Sequence, residues 1–424
     1  MTVHNRDSLP NPFQAARKAS RSELHDFRPL RICYIQEPLH AGVGRHTVDA
    51  ACELADRGHE IHVLYSPMRL EPQFLSDLNG RPRIRCHAIE MRPRLCAADI
   101  LAFWRVITYV RENGPFDIIH GESSKGGGFA RLLKFFGARR VVYTPHAFVT
   151  LSPLLPVAKR RFFETIELLL SHLTDVIICS SRNEQEHART LGISPQKLAV
   201  IVNGRSPATS RDRESTRNAL GLNHEKVVIG FAGRLEAQKA PQKLIEACLR
   251  LFPHLSHMHL LAIGDGPQRK ELQERMRKTG LENRVTWLGA VDAVQYMPAM
   301  DLLAVPSLYE GFAYVLIEAL QAGLPVVATP VGGVSESVTP GKNGIIVPHN
   351  PIEPLVAALR QLGLDAGMRR RMSEASRECA AHFSVSRMVD SLESLYYRLS
   401  EVRTRPSGKL SPEFSAPAAG TGPI

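Results

Sequence analysis

Five side chains in this sequence have types and spacings that could serve one reaction. Two are the glutamates Glu310 and Glu318, two are the cations Arg234 and Lys239, and the fifth is His146, directly after an apolar run. Paired carboxylates first suggest acid/base hydrolysis. Eight residues correspond to about 80° of rotation and about 12 Å of rise along an α-helix, whereas the carboxylates of a glycosidase lie roughly 5–9.5 Å apart. If the helix opens near Phe312, Glu310 lies in the loop before it and Glu318 almost two turns inside. Carboxylates so placed suit gripping two separated ends of a long polyhydroxylated ligand. The plain alternative is a helix N-terminal charge and a solvated one. Gly311 lets backbone amides approach an anion at that helix N-terminus. Arg234 and Lys239 would neutralise the charge that grows on a pyrophosphate as its sugar departs; taken alone, they are solvated surface. His146 by itself is as readily structural.

The elements needed to position these groups are legible around them. Residues 301–350 alternate short apolar runs with an amphipathic one: strands at 302–305, 325–328 and 344–347, and a helix from Phe312 to about Gly323. Earlier strands are expected at 32–36, 60–65, 83–90, 116–120, 139–144, 175–180 and 198–202. The pattern restarts with KVVIGFAGRLEAQKAP (226–241) and continues through 259–267 and 283–291. Strands alternating with helices at this spacing argue for parallel sheets, whose ligands sit at the strand C-termini. After the first strand, Gly42-Val43-Gly44 reads as a turn before a helix that ends at Gly58. It is no G-x-G-x-x-G fingerprint.

Composition narrows the class. The chain has 424 residues, enough for two domains, with the hydrophobic and charged content of a globular protein. No apolar run is long enough to span a membrane, and the N-terminus lacks a secretory core. Seven scattered cysteines without a C-x-x-C pair fit a reduced, cytoplasmic setting. Residues 1–205 carry 28 Lys/Arg against 20 Asp/Glu, which gives the first half most of the net charge of +11. A basic half suggests an anionic partner, and no nucleic-acid module accompanies it. Residues 155–173, LPVAKRRFFETIELLLSHL, could meet lipid phosphates at a membrane interface, or bury their leucines in the core as a domain-surface helix. No Asp-x-Asp pair and no Cys/His cluster with metal-ligand spacing occurs, so neither a metal nor another cofactor is expected.

EGF-x5-EAL, then AGLPVVAT, a GGV-x-E turn and NGIIV, resembles the donor-binding signature of family 4 retaining glycosyltransferases of the GT-B fold. GRL-x3-K (233–239) is similar to that family's diphosphate clamp, and TPHAF (144–148) to a segment whose histidine faces the transferred sugar. The resemblance covers roughly 31–402. It implies an α/β GT-B architecture: two Rossmann-like domains face each other across a cleft, and a C-terminal helix crosses back to the first. The boundaries expected are an extension at 1–29, an acceptor domain at 30–204 with the returning helix 385–402, a donor domain at 205–384 and a disordered tail at 403–424.

The resemblance further implies that Glu310 holds sugar hydroxyls and supports the positive transition state. It gives Glu318 the ribose, Arg234 and Lys239 the diphosphate, and the backbone of Gly311, Phe312, Ala313, Tyr314 and Val315 the sugar and phosphate. Gly42 would let the backbone approach the donor phosphates. Three departures stand out: Ala41 replaces the first glycine of a Gly-Gly turn, Ala240 replaces the glycine after the clamp lysine, and Glu122 replaces the second histidine of His-x-His, leaving His120 without an assigned role. The implied enzyme is a metal-independent hexosyltransferase that moves a sugar from a nucleotide-diphosphate sugar, expected to be a UDP-sugar, to a glycan or polyprenyl-diphosphate-linked acceptor in surface polysaccharide or lipopolysaccharide assembly. It would work at the cytoplasmic face of the inner membrane in peripheral contact with anionic lipid. Two other classes remain open: an epimerase or hydrolase of nucleotide sugars on the same fold, and a silent nucleotide-sugar-binding scaffold.

Overall fold

A computed structural model describes residues 28–207 and 209–401. Most of the expected N-terminal extension (1–27) and the tail after 401 lie outside the described residues. Two parallel sheets form the framework. The first has seven strands in the order β3-β2-β1-β4-β5-β6-β7: β1 (Arg31–Gln36), β2 (Glu60–Tyr65), β3 (Ile84–Ala88), β4 (Ile118–Glu122), β5 (Val141–Thr144), β6 (Val176–Cys179) and β7 (Leu198–Val200). The second has six in the order β10-β9-β8-β11-β12-β13: β8 (Val227–Ala232), β9 (Met258–Ile263), β10 (Val285–Gly289), β11 (Leu302–Val305), β12 (Val326–Ala328) and β13 (Gly344–Ile346). Their central strands are apolar without alternation because helices cover both faces.

In the first domain, α1 (Ala41–Asp56) and α2 (Pro72–Asn79) cover one face, and α3 (Ala98–Asn113), α4 (Ser123–Leu132), α5 (Val157–Ser171) and α6 (Arg182–Thr190) the other. The second domain follows with α7 (Arg213–Ala219), α8 (Pro241–Leu251), α9 (Arg269–Lys278), α10 (Tyr314–Gln321), α11 (Val334–Ser337), α12 (Glu353–Leu364) and α13 (Ala366–Ala380). Finally α14 (Val385–Glu401) returns to the first domain. It buries Val389, Leu392 and Tyr396 beside β1 and α1, and Glu393 bonds Arg57 and His59, each at 2.8 Å.

Three local expectations change. Gly42 and Gly44 are not in a turn but in the first turns of α1, which begins at Ala41. The expected helix at Phe312 begins at Tyr314, so Phe312 and Ala313 belong to the loop. On α5 the inward residues are Glu167 and Ser171, while Phe162, Leu169 and Val157 are 58%, 63% and 66% exposed. This reverses the usual arrangement of a surface helix. Its cause is a buried ion pair: Glu167 accepts from Arg131 of α4 at 2.6 Å, and the Arg131 guanidinium lies 4.0 Å from the Tyr143 ring centre. A carboxylate with a partner waiting inside outweighs the leucines.

Both sheets reverse strand order between their first and fourth strands, at β1/β4 and at β8/β11. In such sheets the ligand crevice opens there, beyond the C-terminal strand ends. Gln36, Glu122 and Thr144 align across the first sheet at that edge.

Candidate active site

On the second sheet, the loop after β8 carries Arg234 and Lys239, and the loop after β11 carries Glu310. The Lys239 ammonium bonds the Glu310 carboxylate at 2.7 Å. Gln238 anchors the same loop, donating to the Tyr309 carbonyl at 3.2 Å and accepting from the Leu308 amide at 2.8 Å. Glu310 is almost fully buried, and Lys239 is partly open to solvent. Arg234 stands apart: it pairs with Glu236 at 2.6 Å, and its side chain is 60% exposed. The clamp is thus one inner and one outer cation.

The segment from Gly311 to Val315 turns its side chains inward. Phe312 packs on Ile317, Leu320 and Phe383, Ala313 lies in the sheet core, and Val315 packs against that core. What remains for a ligand is the backbone and the N-terminus of α10, whose first amides lack helical partners. Tyr314 is different. Its ring lies where a Cβ on Gly42 would sit, 3.1 Å away, so Gly42 makes room for Tyr314 across the cleft. The Tyr314 hydroxyl is buried without a hydrogen-bond partner.

Glu318, one face further along α10, is held by Arg205 at 3.2 Å. Burial raises its pKa, with Arg205 opposing. Arg205 lies where the chain passes between the two sheets and donates its amide to the Phe383 carbonyl at 2.9 Å. Asp49 of α1 is also pushed up by burial, to about 6, against the pull of Arg45 and Arg205.

His146 follows β5 in a left-handed backbone conformation (φ 55°), and Ala147 after it has φ 100°. Each costs about 1–3 kcal/mol in a residue other than glycine. Two contacts hold the turn. Glu184 accepts the Ala147 amide at 2.7 Å, and Gly311 presses so close that a Cβ there would lie 2.5 Å from that amide nitrogen. The loop bearing Glu310 therefore rests on the turn bearing His146. Ser181 closes the seam by donating to the Gly311 carbonyl at 2.8 Å, and Glu336 accepts the Arg182 amide at 2.7 Å.

Beneath His146 lies a cluster that spacing alone did not assemble. Its Nε2 is 2.5 Å from Glu122, and the His46 ring meets the His146 ring edge-on at 4.8 Å. Burial lowers His46, His120 and His146 to about 4 and raises Glu122. His120 is committed elsewhere, to the hydroxyls of Tyr396 (2.6 Å) and Thr144 (2.7 Å). It ties α14 to the sheet, which supplies the role the sequence did not. His46, Glu122 and His146 offer donor atoms within 4.8 Å of one another, the one such group among the described residues. Glu122 and His146, however, stand at hydrogen-bond distance, closer than two ligands about 2.0–2.1 Å from one tetrahedral ion would be. They satisfy each other. Glu122 was visible in the sequence only as a lost histidine; His46, two residues after Gly44, carried no signal.

A family model described as Glycosyltransferase Family 4 matches residues 40–208, and one described as Glycosyl transferases group 1 matches 212–379. The chain belongs to the family 4 glycosyltransferases. Among its relatives is the D-inositol 3-phosphate glycosyltransferase of Corynebacterium urealyticum, 29% identical over 315 residues, 69% of this chain and 74% of the relative. Among solved structures, Anabaena HepE in complex with UDP-glucose superposes with a TM-score of 0.74 at 24% identity, covering 87% of this chain and all of that one. WaaG, a glycosyltransferase involved in lipopolysaccharide biosynthesis, gives 0.67 at 18% identity, covering 88% of this chain and all of WaaG. These superpositions establish the GT-B fold.

Proposed function

We propose that this glycosyltransferase transfers a sugar from a UDP-sugar, with retention of configuration and without a metal, to a lipid-linked glycan acceptor. The carrying observation is the Lys239–Glu310 pair at the strand-order reversal of the second sheet, beside the N-terminus of α10. A nucleotide-diphosphate sugar separates this pair productively: Lys239 and Arg234 take the diphosphate, and Glu310 takes the sugar hydroxyls and faces the developing positive charge. Glu318, exchanging Arg205 for ribose hydroxyls, holds the other end. No protein nucleophile is needed in a front-face displacement where the leaving phosphate accepts the acceptor's proton. Closure of the two domains completes the site.

The lipid-linked acceptor is favoured by the first domain's surface. Among the described residues, ten of the thirteen exposed large hydrophobics fall between Leu95 and Leu169, in the layer formed by α3 to α5 and its connecting loops. Lys159 and Arg161 accompany them, a combination suited to an anionic lipid surface. No helix among the described residues is long and apolar enough to cross a membrane. The names of the actinobacterial relatives favour a second reading, in which the acceptor is a small phosphorylated polyol such as an inositol phosphate.

A thermal-shift screen against UDP-, GDP- and ADP-sugars, with and without EDTA, tests the donor. A rise in Tm with a UDP-sugar that survives EDTA is expected. No shift with any nucleotide sugar, or one that requires a divalent ion, would overturn the reading. Transfer to inositol phosphate but not to lipid-linked glycan would select the second acceptor.

A further inference from the structure

We propose that Glu122 is a positioning residue for transfer: it holds His146 through Nε2 and leaves Nδ1 free to accept a hydrogen bond from a substrate sugar hydroxyl. The inference rests on the glycosyltransferase reading and extends it to a residue by which this chain departs from the family pattern.

Three observations carry it. Glu122 ends β4 at the strand-order reversal of the first sheet, fully buried, with Oε2 2.5 Å from His146 Nε2. The Nε2 atoms of His120, which bonds Thr144, and of His46 lie 3.4 and 3.8 Å from Oε1, which has no hydrogen-bond partner among the described residues. Burial pushes the Glu122 carboxyl up while His120 and His46 pull it back down; the ionised carboxylate accepts hydrogen bonds and cannot donate them. The bond to Nε2 then fixes the tautomer, because the partner of one ring nitrogen decides the state of the other. A histidine at position 122, able to donate or accept, would leave that choice open.

The second observation is the other side of the ring. His146 Nδ1 has no hydrogen-bond partner among the described residues, and the residue is partly exposed, at the seam beneath Gly311 and next to the Glu310 loop. The third is the backbone. His146 and Ala147 both hold left-handed conformations, fastened by Glu184, which accepts the Ala147 amide and whose charge also acts on the His146 ring. A turn strained at two successive residues aims the imidazole, and Glu122 sets which nitrogen faces inward. His46 stacks against the ring edge and fixes its plane.

The test uses full-length protein labelled with 15N-histidine, the His146 signal being assigned through His146→Gln. The expected spectrum has a far-downfield, solvent-protected Nε2–H on His146, absent in Glu122→Gln. An Nδ1-protonated His146, or the same resonance persisting in Glu122→Gln, would overturn the proposal. In transfer assays Glu122→Gln should lower kcat by roughly 10–100-fold, as for removal of a carboxylate behind a working imidazole, and should alter the pH profile while donor KM changes little. Glu122→His, which creates the His-x-His pattern of the resembled segment, should recover part of kcat without the downfield signal. Unchanged kcat in Glu122→Gln, or a loss confined to donor KM, would refute the role. The spectrum needs no donor, so a protein that transfers no sugar would refute the proposed function while the spectrum still decides whether Glu122 orients His146.

Discussion

The two faces of the cleft hold their polar groups in opposite ways. On the second domain's side, Lys239 and Glu310 neutralise each other beside solvent, Arg234 extends into it, and Glu318 leans on Arg205. Each of these groups can trade its present partner for one on a ligand. On the first domain's side, Glu122, His46 and His120 are buried, and His146 packs half-buried against them. Their partners are fixed by β4, β5, α1 and α14, and their proton states are set by desolvation. Under the proposed function the difference separates two tasks: the cations assigned to a diphosphate stay part-solvated, and the groups assigned to orientation are sealed.

The comparison breaks most visibly at the exchangeable pair. Lys239→Ala and Glu310→Ala should each reduce transfer by about 10²–10³-fold, the usual cost of losing one electrostatic contact to a transition state. Circular dichroism should show the fold intact in both, while Tm should fall more for Lys239→Ala, which leaves the buried Glu310 carboxylate without its partner. Wild-type turnover in either variant would remove these residues from the site.

The sealed side should show itself as acid sensitivity. His46, His120 and His146 have folded pKa values of about 4, below the ordinary value near 6.5. Between those values these three histidines hold fewer protons folded than unfolded, so they lower stability as pH drops from about 6.5 to about 4, while Glu122 and Asp49, raised by burial, take up protons in the folded state and offset part of that loss. Below that window the folded histidines protonate too, and their contribution levels off. Urea melts at pH 7.5, 6 and 5 should show a decreasing midpoint. Replacing His146 by Gln should flatten the trend, and a midpoint independent of pH would contradict the sealed arrangement.

The smallest effect concerns two alanines. Ala41 and Ala240, the two departures from glycine that the family resemblance marked, both have left-handed backbones, at φ 50° and 47°. A Cβ costs about 1–2 kcal/mol there, partly offset by the lower entropy of alanine in the unfolded chain. Ala41→Gly and Ala240→Gly should therefore each raise stability by roughly 0.5–1 kcal/mol in urea denaturation. The sequence showed these replacements only as departures from a pattern; their backbone angles give them a consequence. Destabilisation by either change would contradict the assigned conformations.

Much of the framework could be read from the chain because buried parallel strands are short apolar runs bounded by turns. β2 and β11 span the residues their patterns marked, and most other strands differ by one or two residues at their ends. The beginning of α1 could not, because Gly42-Val43-Gly44 has turn composition, and only packing against Tyr314 reveals why glycine sits inside a helix. Nor could the inversion of α5, since Glu167 faces inward for the sake of Arg131, thirty-six residues away. The groups of the donor side form recognisable words within one or two loops. Those of the sealed side come from an early helix and two strand ends, and meet only when the sheet brings residues 36, 122 and 144 into line.

The returning helix has a consequence for how the protein is made. Residues 31–200 emerge from the ribosome nearly two hundred residues before α14, yet Tyr396 supplies the hydroxyl that meets both Tyr34 and His120 inside their core. Domains ordinarily fold as units, N-terminal first, during synthesis. Here the first unit to appear keeps an open seam along β1 and α1 until the whole second domain and then α14 have been made.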